Sequence, residues 1–216
     1  MRPPPRLQQE EGADVTQEEL WIQKAAGGDQ EAFAALVASH EKMVYTLTVR
    51  IMGNPHDGEE AAQEAFLAAW RGLPFFKGES SFSTWLYRLA SNACIDLLRK
   101  ERRRGGALSL DDEAQEEPAA PAGGWGDPAE ALERGQRREA VRRCMNALSP
   151  EHRQVLSLRE FAGLSYEEIA QTLDLEPGTV KSRICRARLQ LKKLLLQDGN
   201  FSPADASNES RKGGSA

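Results

Sequence analysis

The 216-residue sequence predicts an all-α fold made of two small helical domains joined by a flexible acidic linker, the second containing a helix-turn-helix. Apolar residues recur at helical spacing over 17–104 and again over 129–197. Between them, 105–128 holds too many Gly, Pro, Ala and acidic residues to pack, as a linker does. Near the end, 164–196 reads as two short helices joined by a tight turn.

Residues 1–16 are rich in Pro, Gln and Glu without an apolar period and are read as a disordered lead. A short helix with Leu20 and Ile22 follows from Gln17 and reaches Gly27-Gly28-Asp29. Phe33, Leu36, Val37, Val44, Leu47 and Ile51 then define a long core helix that ends near Gly53-Asn54-Pro55. His40, on its apolar side, reads as a packed or partly exposed histidine rather than a ligand. A third helix over 57–71 carries a close-packing seam of Ala61, Ala65 and Ala69, with Phe66, Leu67 and Trp70 supplying bulk. Its polar side holds Asp57, Glu59, Glu60, Gln63 and Glu64. These are either acids that favour the positive end of the helix dipole or a docking surface for a partner helix.

The loop over 72–81, with Leu73, Pro74, Phe75 and Phe76, is more apolar than a passive surface loop. A fourth helix over 83–102 can turn Trp85, Leu86, Leu89, Ala93 and Leu97 to a core. Tyr87, Arg88, Ser91, Asn92, Asp96, Arg99 and Lys100 mix an aromatic with amides and charges. Unpaired bases require this mixture, because each offers a stacking face and an exposed hydrogen-bonding edge. An amphipathic core helix with a solvated basic end has the same composition.

Beyond the linker, helix resumes near Ala129 with Leu132, Val141, Met145 and Leu148. Ser149 as cap and Pro150 at the first position start the next helix, in which Val155, Leu156, Leu158 and Phe161 are expected to be buried against the closing helix pair. Ser165 and Glu168 form a capping box, so a helix should begin at Tyr166 and bury Ile169, Ala170 and Leu173. Glu176-Pro177-Gly178 is expected to break the chain and Thr179 to cap a last helix. Val180, Ile184, Ala187, Leu191, Leu194 and Leu195 make one stripe along it. Stepping about 100° per residue, Ser182, Cys185, Arg186, Leu189 and Lys193 point away, flanked by Lys181, Arg183, Arg188 and Lys192. A helix with aliphatics behind and Arg, Lys and Ser in front suits the major groove of duplex DNA. The tail, 198–216, is polar and read as unstructured.

A formal charge of −5 and a pI near 5.4 are unusual for a nucleic-acid binder. Position resolves the conflict. Arg99 to Arg104 and Lys181 to Lys193 concentrate cations, whereas 105–128 has Asp111, Asp112, Glu113, Glu116, Glu117 and Asp127 with no Lys or Arg. Cys94, Cys144 and Cys185 are widely spaced, which argues against a disulfide framework or zinc cluster; neither a metal nor a cofactor is expected. No signal peptide or membrane span is read, so a cytoplasmic protein is expected. Absence of paired-carboxylate, Cys/His or Gly-rich phosphate motifs argues against an enzyme.

The stretches GDQEAF at 28–33, DGEEAAQEAFLAAW at 57–70, FSTWLYRLASNACIDLLRK at 82–100, LSPEHRQVLSLREFAGLSYEEIA at 148–170 and GTVKSRICRAR at 178–188 resemble, in that order, the extracytoplasmic-function (ECF) sigma factors, bacterial transcription initiation factors. The resemblance covers about 17–104 and 129–196. It implies region 2 over 17–104, which binds core RNA polymerase and recognises and melts the minus-10 element, and region 4 over 129–197, which reads the minus-35 element. Asp57, Glu60, Gln63, Glu64 and Trp70 would face the clamp helices of the largest polymerase subunit, with the flap a second contact. Residues of the loop from Leu73 to Ser81, Phe76 among them, with Trp85, Arg88, Asn92, Asp96, Arg99 and Lys100, would open the minus-10 element and hold single-stranded bases. Lys181, Ser182, Arg183, Cys185, Arg186 and Arg188 would meet duplex promoter DNA. Cys185 stands where members commonly place a bulkier side chain, and Ala68 where a basic residue is frequent. The family also implies an anti-sigma factor, in many cases membrane-bound.

The resulting mechanism is binding followed by capture, with polymerase performing the chemistry. As a relaxed coil, the 24 linker residues span only about 27 Å, less than the roughly 34 Å of one DNA turn. Fully stretched they reach at most about 80 Å. A polymerase scaffold that extends the linker would let both elements be read together; the acidic segment is similar to the family's connector through a basic channel, and equally to a plain tether. The rival is a free-standing helix-turn-helix regulator on operator DNA. It would normally need a dimer interface, and no heptad or spare apolar face is present.

Overall fold

The computed structural model describes residues 16–103, 128–198 and Phe201. The expected lead over 1–15, Arg104, the acidic linker up to residue 127 and nearly all of the expected tail lie outside the described residues.

An amino-terminal group comprises α1 (Gln17–Ala26), α2 (Gln30–Met52), α3 (Pro55–Gly72), a short 3-10 turn (Leu73–Phe75) and α4 (Phe82–Arg103). Thr16 and Glu19 form a capping box for α1, and Asp29 accepts the N–H groups of Glu31 and Ala32 to start α2. Gly53, at φ 90°, ends α2 in the left-handed conformation that glycine adopts without penalty. Asn54 then caps α3, with Pro55 at its first position.

The Ala61, Ala65 and Ala69 seam is fully buried, letting α3 lie close to its neighbours. At Gly58 the approach is tighter still: an added Cβ would stand 2.5 Å from Val49 Cγ2 of α2. His40 is buried, hydrogen-bonded through Nε2 to Glu18 at 2.6 Å and edge-on to Phe82, so it ties α1 to α2.

The carboxy-terminal group comprises α5 (Pro128–Asn146), α6 (Pro150–Leu156), a π-helical turn (Ser157–Phe161), α7 (Tyr166–Leu173) and α8 (Pro177–Asp198). Ser149 caps α6 and the Ser165–Glu168 box caps α7, as the sequence predicts. Two expectations are corrected. Helix α8 starts at Pro177, so Pro177 and Gly178 lie in its first turn and Thr179 is inside it. Proline suits a first helical position, and the break falls earlier, at Asp174, whose φ is 52°. Phe161 is exposed rather than packed on the closing helix pair, because the extra residue in the π turn rotates it out of the α6 register.

The two groups pack against each other: α2 meets α6 and the π turn, and α4 meets α7. One apolar core runs through both, from Leu36, Leu47, Ile51 and Leu86 to Leu156, Ile169 and Ile184. No described helix is long and apolar enough to cross a membrane.

Candidate nucleic-acid interface

The capped α7, the left-handed Asp174 and the start of α8 make a helix-turn-helix. Val180, Ile184 and Ala187 are fully buried, with Leu191, Leu194 and Leu195 half-buried behind them. That anchorage fixes which side faces out. Lys181, Cys185, Arg186 and Leu189 are exposed in a row, Leu189 at 64 %, while Ser182 and Arg183 are half-buried at its edge. Ser182 Oγ donates to the Thr179 carbonyl at 2.9 Å, so its hydroxyl is partly engaged. Arg188 is tied back: Nη2 and Nε reach Glu160 Oε1 at 2.6 and 3.2 Å, and this carboxylate holds the guanidinium above its usual range. Lys181 and Arg186 thus present charge to a phosphate or base more directly than Arg188 does. Of the cysteines, Cys94 and Cys144 are buried and Cys185 is exposed; burial pushes the Cys94 thiol up to about 12.

On α4, Arg88, Asn92, Asp96, Arg99 and Lys100 are all exposed along one helical stripe. Arg99 lies 3.5 Å from Asp96 and Lys100 lies 3.9 Å from Glu60 of α3, exposed pairs of the kind worth about 0–1 kcal/mol. Such contacts yield readily to an incoming phosphate. Phe76 and Trp85 are instead half-buried in an aromatic cluster with Phe82, at centroid separations of 5.0–6.0 Å. Tyr87 and Ser91, grouped by sequence with the polar side of this helix, are buried: the Tyr87 hydroxyl donates to Met43 Sδ at 3.0 Å, and Ser91 faces Gln154 of α6.

The outer side of α3 exposes Glu59, Glu60, Gln63, Glu64 and Arg71 around Leu67, itself 49 % exposed rather than core-filling. Asp57 and Trp70 depart from this surface. Asp57 is half-buried, accepting from Asn54 Nδ2 at 2.6 Å, and Trp70 packs against Phe33 with centroids 4.9 Å apart and the rings tilted by 58°. Burial, with Asp57 and Glu60 nearby, raises the carboxyl of Glu101 at the same corner.

The structure therefore keeps together the α8 row, the α4 stripe and the α3 acidic surface, and moves Trp70, Asp57, Phe76 and Trp85 into structural contacts. Within the 73–81 loop it also exposes a residue that the sequence does not single out. Phe75, in the 3-10 turn between α3 and α4, is 80 % exposed. The available signal was the doubled Phe75-Phe76: successive side chains of a tight turn cannot both reach one core.

Comparison with known proteins agrees with this division. The sigma-70 region 2 family matches residues 36–104, and the sigma-70 region 4 family matches residues 138–191. The chain is 35% identical to the RNA polymerase sigma-H factor of Pseudomonas aeruginosa over 181 residues, covering 83% of this chain and 94% of that protein. It is 37% identical to the ECF RNA polymerase sigma-E factor of Escherichia coli over 175 residues, covering 79% of this chain and 90% of that one. Among solved structures, CnrH in complex with the cytosolic domain of CnrY aligns with a TM-score of 0.55 at 28% identity, over 83% of this chain and 97% of that one. The sigma factor RpoE of Bartonella quintana, crystallised with the anti-sigma factor NepR, shares the fold with a TM-score of 0.57 over 76% of this chain and 96% of that one. With a helix-turn-helix and a second helical group each matching a sigma-70 region, and relatives of this similarity along most of its length, the chain belongs to the extracytoplasmic-function sigma factors of RNA polymerase.

Proposed function

We propose that this sigma factor divides its work between three surfaces. The acidic face of α3, with Glu60, Gln63, Glu64 and the exposed Leu67, docks on the polymerase clamp helices. The α4 stripe of Arg88, Asn92, Asp96, Arg99 and Lys100, together with the exposed Phe75 of the preceding turn, holds the opened minus-10 strand. Lys181, Cys185 and Arg186 of α8 read the minus-35 duplex, and Ser182, Arg183 and Arg188 flank them. The observation that carries the reading is the one-sidedness of α8, which buries Val180, Ile184 and Ala187 while turning Lys181, Cys185 and Arg186 outward after a capped α7.

Duplex binding draws on phosphate contacts and a few base contacts, each wrong base pair costing about 1–3 kcal/mol. Strand capture draws on stacking worth about 1–3 kcal/mol per base. Phe75 suits that step better than Phe76 or Trp85, whose faces are already occupied. The factor itself is not catalytic: polymerase makes the RNA. It acts in the cytoplasm, and an anti-sigma factor holds it inactive, a reading that the pairing of the sigma factor RpoE with the anti-sigma factor NepR supports.

Transcription by purified core polymerase on a pool of genomic promoter fragments tests this. Discrete start sites should appear with the protein and vanish with Gln63→Ala and Glu64→Ala combined, both being exposed and outside the core. Start sites that persist in the double variant would remove α3 from the docking surface. No start sites, with duplex binding intact, would favour an operator-binding regulator.

A further inference from the structure

The outer row of α8 is basic at its flanks and apolar along its middle. Stepping about 100° per residue, Leu189 lies about 180° from Val180, opposite the centre of the stripe that Val180, Ile184 and Ala187 bury. Lys193 and Arg186 stand about 40° and 60° to one side of it, and Cys185 and Lys192 about 40° and 60° to the other, all four exposed. Ser182, the other residue close to this outermost line in the first turns, is half-buried and donates its hydroxyl to the Thr179 carbonyl at 2.9 Å. Leu189 is 64 % exposed. The side chain that projects farthest from the core, among these cations, is therefore an aliphatic one.

A helix laid in the major groove, about 12 Å wide, sends the side chains at its flanks toward the phosphate walls and those on its outermost line toward the base edges. Arg186, Lys192 and Lys193 suit the walls. The base edges are polar with one protruding exception, the 5-methyl group of thymine. Leucine has no donor or acceptor, so against any other edge it would strip a polar group of water and return no hydrogen bond. Against a methyl group it only buries apolar surface. Cys185, one turn earlier, is short and behaves as a small hydrophobe. Residues so spaced have Cβ atoms about 5–6 Å apart, so Cys185 and Leu189 together form an apolar step into which a methyl group can settle.

We propose that Leu189, with Cys185 beside it, reads a thymine of the minus-35 duplex through its 5-methyl group and so helps to set the promoter specificity of this sigma factor. The contact rests on the duplex-reading function proposed above for α8. It adds an apolar criterion to a row whose other members, Lys181 and Arg186, act through charge and hydrogen bonds.

Uracil in place of thymine tests this, because the exchange removes the methyl group and leaves the base-pairing edge unchanged. Holoenzyme is assembled from core polymerase and the full-length protein. Its affinity is measured for promoter duplexes in which each thymine of the minus-35 element, on either strand, is replaced in turn. Wild type should lose about fourfold at one position, the factor for withdrawing one methyl-sized group from apolar contact. Leu189→Ala should bind the thymine and uracil duplexes alike, and Leu189→Met should keep most of the discrimination. Leu189→Ala should also leave the slope of log affinity against log salt unchanged, since an apolar contact releases no counterions. Uracil tolerated at every position, or an element with no thymine on either strand, overturns the proposal and leaves the promoter reading intact where discrete start sites persist. A preference for thymine that survives Leu189→Ala would belong to the shape of the DNA or to another side chain, and overturns it as well. Equal losses by Leu189→Ala on all duplexes, with weaker binding of core polymerase, would make Leu189 a polymerase contact instead. Wild-type holoenzyme that binds every sequence equally would fault the duplex-reading role of α8 itself, and the thymine contact would fall with it.

Discussion

Helices α4 and α8 have the same length, 22 residues, and the same kind of sequence, aliphatics on one side and Arg with polar residues on the other. In α8 the helical wheel and the structure agree residue by residue at Val180, Ile184, Ala187, Lys181, Cys185 and Arg186. In α4 the wheel places Arg88, Asn92 and Asp96 outward correctly but also Tyr87 and Ser91, which are buried. The difference lies in the neighbours. α8 packs on the rest of its own group and none of the described residues covers its outer row, whereas α4 is pressed by α2 and α3 on one side and by α7 on another. Periodicity assigns a residue to a face; what covers that face is decided by pairings distant in sequence.

The largest test of this contrast uses α8. Ile184→Ala should cost about 2–5 kcal/mol, the usual range for emptying a buried aliphatic site. Leu189→Ala, five residues on but 64 % exposed, should stay within about 0.5 kcal/mol. Chemical denaturation of both variants measures this directly. Comparable losses would mean that Leu189 is covered in solution and that α8 is not one-sided.

The elements that could be read from the sequence share a local cause. The Ser165–Glu168 and Ser149–Pro150 starts and the Ala61, Ala65 and Ala69 seam each follow from residues within one helix and its cap. The misplaced residues depend on more than one element. Thr179 is a good cap in isolation, but Pro177 begins the helix two residues earlier. Leu67 has the composition of a core residue, yet the alanine seam turns it outward. Trp70 looks like part of an outward face until Phe33 of α2 is laid across it. Of the candidate site, the outward rows of α8 and of α4 were legible as exposed faces. Phe75 could not be separated from Phe76 without the turn geometry, and the facing of Ser91 could not be known without α6.

A middle-sized effect joins the two helices through α7. The Ser165 N–H holds the Glu168 carboxyl below its ordinary value, partial burial opposes this, and the Ser165 and Thr84 hydroxyls add to the lowering. A depressed folded-state pKa contributes stability that is fully present above the unfolded value of about 4.5 and is lost as pH falls through the folded one. Melting of wild type against Glu168→Gln between pH 7 and pH 3 should therefore show a gap at neutral pH that narrows on acidification below about 4.5. At neutral pH the gap should resemble a lost cap, about 1 kcal/mol. A gap that widens on acidification would reverse the sign and exclude the carboxylate as the stabilising form.

The smallest effect separates cations within the α8 row. Arg188 is about half exposed and paired with Glu160, so Arg188→Ala should cost only about 0–1 kcal/mol of stability. Its effect on promoter binding should be small for the same reason, since Glu160 already neutralises it. Lys181 is exposed, and if it meets a phosphate Lys181→Ala should lower the slope of log affinity against log salt by about one. Salt titrations of duplex binding by the two variants give both slopes. A full unit lost with Arg188→Ala would mean that DNA displaces Glu160 and takes the guanidinium. The Arg188–Glu160 pair would then be a contact of the DNA-free chain alone, exchanged for a phosphate when the duplex binds.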